Sequence, residues 1–155
     1  MNEPTVEQRL ADLGYQLPLV SPPIGSYVKG VIVGNLLFLS GNGPDQPGYT
    51  SPKGKVGGEV TIEQAVEAAQ YVGLNLLAAA KDTLGSLDRI RRVVKVLGMV
   101  NSAPDFGQQP RVINGCSDLF LALFGDAGRH ARSAVGMGAL PNGIPVEIEA
   151  IFEVE

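Results

Sequence analysis

At 155 residues the chain is long enough to bury a core and is read as one domain over 1–155, with 1–23 forming an extra N-terminal helix and connector. A formal charge of −4 and a pI near 5.0 argue against a nucleic-acid binder, which would present a basic face to phosphates. One cysteine, Cys116, rules out an internal disulfide or a cysteine-rich metal site. No apolar run is long enough for a bilayer and Met1-Asn2-Glu3-Pro4 is no signal-peptide start, so a cytoplasmic location is expected.

Thr5 to Leu13 carries apolar Val6, Leu10 and Leu13 at helical spacing, with Pro4 leading in and Gly14 closing. Leu17 to Pro23 is an extended connector punctuated by proline. Tyr27–Val33 and Leu36–Ser40 are β-type runs joined by Gly34-Asn35, a two-residue hairpin signal. Glycine, proline and polar residues fill 41–58, a loop of functional length. Its Gly54, Gly57 and Gly58 lack the order of a phosphate-binding loop.

Thr61 with Gln64 three residues on predicts a capped helix, whose apolar positions run from Ala65 to Ala80 and which Gly85 stops. Ile90–Val100 is strand, 104–110 loop, and Pro110 starts a second long helix ending near Phe124. Ala131–Gly138 and Val146–Val154 are the last strands. In the latter, Val146, Ile148, Ala150, Phe152 and Val154 share one face, and Glu147, Glu149, Ile151 and Glu153 the other. The order α-β-β-α-β-α-β-β defines an α+β class: a mainly antiparallel sheet with two helices on one face.

Arg132 is the one charge in a strand whose same-face neighbours, Ala134, Gly136 and Gly138, are small. A planar guanidinium there suits bidentate capture of a carboxylate; pairing with a sheet-face glutamate is an equal reading. Glu147 suits proton transfer, although alternating glutamates ordinarily mark a solvated face. Were the last two strands a simple hairpin, Arg132 would pair near Glu153, leaving Glu147 roughly 20 Å away at about 3.3 Å per residue. The two cooperate only if those strands are not neighbours or the site lies between subunits.

Tyr27, the Ser40-Gly41 turn and Asn114 are further candidates, each with a plainer role as anchor, turn or cap. His130 stands alone as histidine, so no His-rich metal site is available, and without a GxSxG motif a serine nucleophile is disfavoured. Cys116 is read as a buried small hydrophobe. Arg89, Arg91 and Arg92 are read as a solvated start to a strand.

Together, Ile24-Gly25-Ser26-Tyr27-Val28, Gly34 to Gly41, Leu87-Asp88, Asp105-Phe106, Asn114, Ala131-Arg132-Ser133, Leu140-Pro141 and Val146 to Ala150 resemble the RidA family, also called YjgF or L-PSP. The match covers residue 24 onward, and Gly128 to Gly136 looks like a divergent subgroup. The resemblance implies a chorismate-mutase-like subunit in a homotrimer with three clefts between subunits. It also implies last strands that are not neighbours, and hydrolytic deamination of 2-imino or enamine acids to 2-keto acids and ammonia. Carried over, Arg132 would clamp the carboxylate and Glu147 position the water. Tyr27, Ser40, Gly41, Asn114 and the Ala134 backbone amide would shape the pocket, with neither metal nor cofactor required. Position 134 is alanine where the deaminase branch often carries cysteine, which leaves only the backbone to contribute. A non-catalytic small-carboxylate-binding protein is the rival expectation, and an RNA-cleaving translation inhibitor the remote one.

Overall fold

The structure is a computed structural model that describes residues 2–155. Thr61 accepts from the Gln64 amide while the Gln64 side chain returns to the Thr61 amide, so the expected capping box opens α2 (Ile62–Leu84). Gly85 closes α2 in the left-handed conformation. The same device, Thr5 with Gln8, caps α1 (Val6–Asp12). The strands are β1 (Gly30–Val33), β2 (Leu36–Asn42), β3 (Ile90–Asn101), β4 (Ala131–Met137) and β5 (Val146–Val154), and α3 (Gln109–Phe124) lies between β3 and β4.

The sheet order is β1-β2-β5-β3-β4. Three pairings are antiparallel, but β4 runs parallel to β3 and makes the sheet mixed. The reason is the connection: α3 carries the chain back across the sheet, and a helical crossover delivers a parallel strand. β5 sits between β2 and β3, so the last two strands are not neighbours, as the resemblance implied.

Alternation along β5 is as read: Val146, Ile148, Ala150, Phe152 and Val154 are all buried against the helices. Leu37 and Leu39 of β2 join them, with Val93, Val96 and Val100 of β3. Two glycines let α2 and α3 pack closely. A Cβ on Gly115 would land on the Val66 carbonyl oxygen, and one on Gly73 would lie 2.9 Å from Leu119 Cδ2. Cys116 is buried at this crossing, and burial pushes its thiol pKa far up, as expected of a structural cysteine.

Among the described residues no helix packs on the other face of the sheet. Val31, Val33, Phe38 and Val135 stand exposed on it, Phe38 by 41% and Val135 by 38%. Two expectations need correction. The first strand begins at Gly30, not Tyr27, because 24–27 form a bend in which Gly25 packs under the Tyr27 ring. The segment after β2 is also not free loop throughout: β2 runs on to Asn42, and Val56, fully buried, bridges Val60 and Ser102.

Candidate functional site

The expected site residues fall into two groups on opposite faces of the sheet. One group gathers at the end of β2. Between Leu39 and Asn42 the β2–β5 register slips, placing a bulge at Ser40-Gly41. Glu147 of β5 folds its carboxylate over this bulge, so closely that a Cβ on Gly41 would sit 2.5 Å from Glu147 Oε2. Only the absence of a Cβ at Gly41 lets the carboxylate lie this close over the bulge. Ser40 Oγ donates to the Val28 carbonyl at 2.6 Å, tying the Tyr27 bend to the bulge. The Ser40 proton is thereby committed, and what it offers a ligand is an oxygen lone pair.

Tyr27, Ser40, Gly41 and Glu147 border one cavity of about 730 Å³, which Lys29, Asn75, Asn142 and Ile144 also line. That volume suits a small organic molecule. Asp45, at the same cavity, is locked by Lys53 and Ser51. Burial raises its pKa, but these bonds outweigh burial and hold it below the ordinary value. Glu147 differs, having no hydrogen-bond or ion-pair partner among the described residues. Burial, and then the Glu149 charge on the same face, raise its proton affinity above that of an ordinary glutamate.

The second group belongs to β4 and α3. Arg132 pairs in register with Val96, and Val96 with Ala150, both buried, so the arginine points to the helix side. Its Nη1 donates to Asn114 Oδ1 at 2.8 Å and to Ser117 Oγ at 3.1 Å. Both Nη1 protons are therefore used. Among the described residues Nε–H and the Nη2 protons have no partner. The Nε–H/Nη2–H edge carries two parallel donors, the fork that matches a carboxylate. Among the described residues no carboxylate forms an ion pair with Arg132, so the internal-pair reading does not hold. Ala134, in register with Gly98, packs partly against the core.

Glu147 pairs with Met99, and Met99 with Val135, three residues beyond Arg132 on β4. Two strand spacings across and three residues along place the two Cα atoms roughly 14 Å apart, with side chains on opposite faces. Within one protomer these residues do not share a site.

Ser117 was missed by sequence reasoning, and His130 was weighed there only as a metal ligand or base. Ser117 Oγ lies 2.9 Å from His130 Nε2, and His130 Nδ1 lies 2.7 Å from the Gly128 carbonyl. One signal was present: Ser117 follows Asn114 by three residues, so both share a helix face. Among the described residues no three His, Cys, Asp or Glu side chains converge as a metal site, and no helix is long and apolar enough to cross a membrane.

The β1-β2-β5-β3-β4 sheet, with α2 and α3 on one face and a bulge at Ser40-Gly41, is that of a chorismate-mutase-like α+β protein. The family model described as "YjgF/chorismate mutase-like, putative endoribonuclease" matches residues 7–144, so the chain belongs to that family. It is similar to "Protein TCP17" of Trypanosoma cruzi, 40% identical over 150 residues, covering 96% of this chain and 94% of that one. The 2-iminobutanoate/2-iminopropanoate deaminase of Escherichia coli (strain K12) is 32% identical over 128 residues, covering 83% of this chain and 87% of the deaminase. Among solved structures, the protein Atu1372 of Agrobacterium tumefaciens, described as of unknown function, aligns with a TM-score of 0.88 at 44% identity. It covers 97% of this chain and 92% of its own.

Proposed function

We propose that the chain is a cytoplasmic hydrolytic deaminase of 2-imino and enamine acids, working as a homotrimer whose clefts join two protomers. The observation that carries this reading is the open Nε–H/Nη2–H edge of Arg132, held on α3 by Asn114 and free of any internal carboxylate. The uncovered sheet face, with Phe38 and Val135 exposed, gives such an assembly its contact surface. Because Arg132 and Glu147 occupy opposite faces, a site using both takes Arg132 from one protomer and Glu147 from its neighbour.

Arg132 grips the substrate carboxylate and fixes the C=N carbon near Glu147. Glu147 accepts a proton from water as the water oxygen bonds to the carbon of the protonated imine, giving a neutral carbinolamine. Glu147 returns that proton to nitrogen, then takes the hydroxyl proton as C=O forms and the C–N bond breaks, so that 2-keto acid and ammonia leave. A carboxylate with raised proton affinity suits a group that both takes and returns a proton. Tyr27, the Ser40 oxygen, Gly41 and the Ala134 amide shape the pocket; no metal or cofactor takes part in these steps.

The test generates 2-iminopropanoate in situ from alanine with an amino-acid oxidase and follows ammonia release. Wild type accelerates it, while Arg132→Ala and Glu147→Ala do not. Mixing the two inactive variants after reversible dissociation restores about a quarter of wild-type activity, the share of randomly reassembled sites that hold both groups. No acceleration by wild type sinks the deaminase reading. Pyruvate binding that survives Glu147→Ala but not Arg132→Ala would then leave the non-catalytic carboxylate binder. RNA cleavage is disfavoured by a pI of about 5.0.

A further inference from the structure

The contacts around Arg132 form a series with one direction. The Gly128 carbonyl only accepts, so His130 Nδ1 carries a proton and the neutral ring presents a lone pair at Nε2. The Ser117 hydroxyl donates to that lone pair at 2.9 Å, which leaves Ser117 Oγ to accept from Arg132 Nη1 at 3.1 Å. Each member is oriented by the next, and the series ends on a backbone carbonyl of the turn before β4. A serine beside an imidazole also suggests a nucleophile. Ser117, however, is only 6% exposed and its oxygen already receives Arg132, so it has no path to a substrate.

We infer that Ser117 and His130 are positioning residues that hold the Arg132 guanidinium in the rotation that leaves its Nε–H/Nη2–H edge open to a carboxylate. Asn114 alone fixes one Nη1 proton and lets the plane swing about that bond. A second acceptor on the same nitrogen defines the plane. Burial lowers the proton affinity of the imidazole, a neighbouring carbonyl raises it, and the Arg132 charge lowers it further. The net fall keeps the ring in the neutral form that the series needs. The inference rests on the reading of Arg132 as a carboxylate clamp.

The test compares wild type with Ser117→Ala, His130→Gln, His130→Asn and Arg132→Ala, measuring binding of 2-oxobutanoate by calorimetry and, where turnover occurs, KM and kcat separately. Glutamine places an amide oxygen where Nε2 stood and can still accept from Ser117; asparagine reaches only the Gly128 side. Ser117→Ala and His130→Asn are expected to weaken binding and raise KM by roughly five- to tenfold, with kcat changed less. His130→Gln stays near wild type. A purely structural histidine would show no such split between the two amides. Arg132→Ala that loses binding while Ser117→Ala and His130→Asn keep it overturns this inference and leaves the clamp standing. Arg132→Ala that binds like wild type overturns the clamp itself. His130 is the chain's single histidine, so its ring ¹⁵N resonances give a second readout independent of substrate. The Nδ1–H tautomer is expected in wild type, and an Nε2–H tautomer would refute the direction of the series. Should Ser117→Ala fail to fold, the two His130 amides and the tautomer decide.

Discussion

Replacing Gly41 with alanine tests the geometry at the bulge. The added Cβ would lie 2.5 Å from Glu147 Oε2, 3.2 Å from Cδ and 3.4 Å from Cγ. Ordinary contact between such atoms is about 3.5 Å, so the carboxylate must retreat by roughly 1 Å. A displacement of that size at a reacting group lowers rate by about 100-fold. Stability should hardly fall. Gly41 is not among the left-handed glycines, so alanine fits its backbone and restricts the unfolded chain by about 0.4–1 kcal/mol. The atoms that give way are the end of a flexible side chain. The expected result is a large loss in kcat for 2-iminopropanoate hydrolysis, an unchanged or slightly raised melting temperature, and near-normal 2-oxobutanoate binding. A Gly41→Ala protein that melts normally and turns over like wild type would refute the placement of Glu147 at the reacting carbon.

Gly115→Ala should behave oppositely, costing about 1–3 kcal/mol in chemical denaturation because its Cβ meets the Val66 backbone of α2. Glu147→Gln should stabilise the fold at neutral pH. The raised folded-state affinity means that wild type binds more protons folded than unfolded, so its stability falls as pH rises from the ordinary glutamate value through the folded one. The variant's advantage should therefore vanish in acid and grow toward neutrality, as read from urea midpoints across pH. If the uncovered sheet face forms the proposed trimer contact, Phe38→Glu should give a monomer in light scattering where wild type gives a trimer, while circular dichroism stays folded.

Local chemistry was legible in the sequence. The Thr61–Gln64 cap, the Gly34-Asn35 turn joining Val33 to Leu36, and the alternation in β5 all rest on near neighbours, and each stands as read. The Thr5–Gln8 cap was equally local and went unread. What distance decides was harder. Nothing in Ala131–Met137 tells a parallel edge strand from an antiparallel one; the α3 crossover settles it. The bulge at Ser40-Gly41 depends on register against β5, 107 residues from Ser40 to Glu147 along the chain. Arg132 and Glu147 were both singled out, yet their opposite faces emerge only once β3 lies between them. The link from Ser117 to His130 joins a helix to the turn beyond it, and no motif records it.

On the proposed pairing of Arg132 with Glu147, their separation by the thickness of the sheet would make chemistry a property of an encounter rather than of a chain. A freshly made or diluted subunit would hold every needed group and still be inert. Output would then climb more steeply than protein abundance until assembly saturates, giving a threshold with no effector and no moving part.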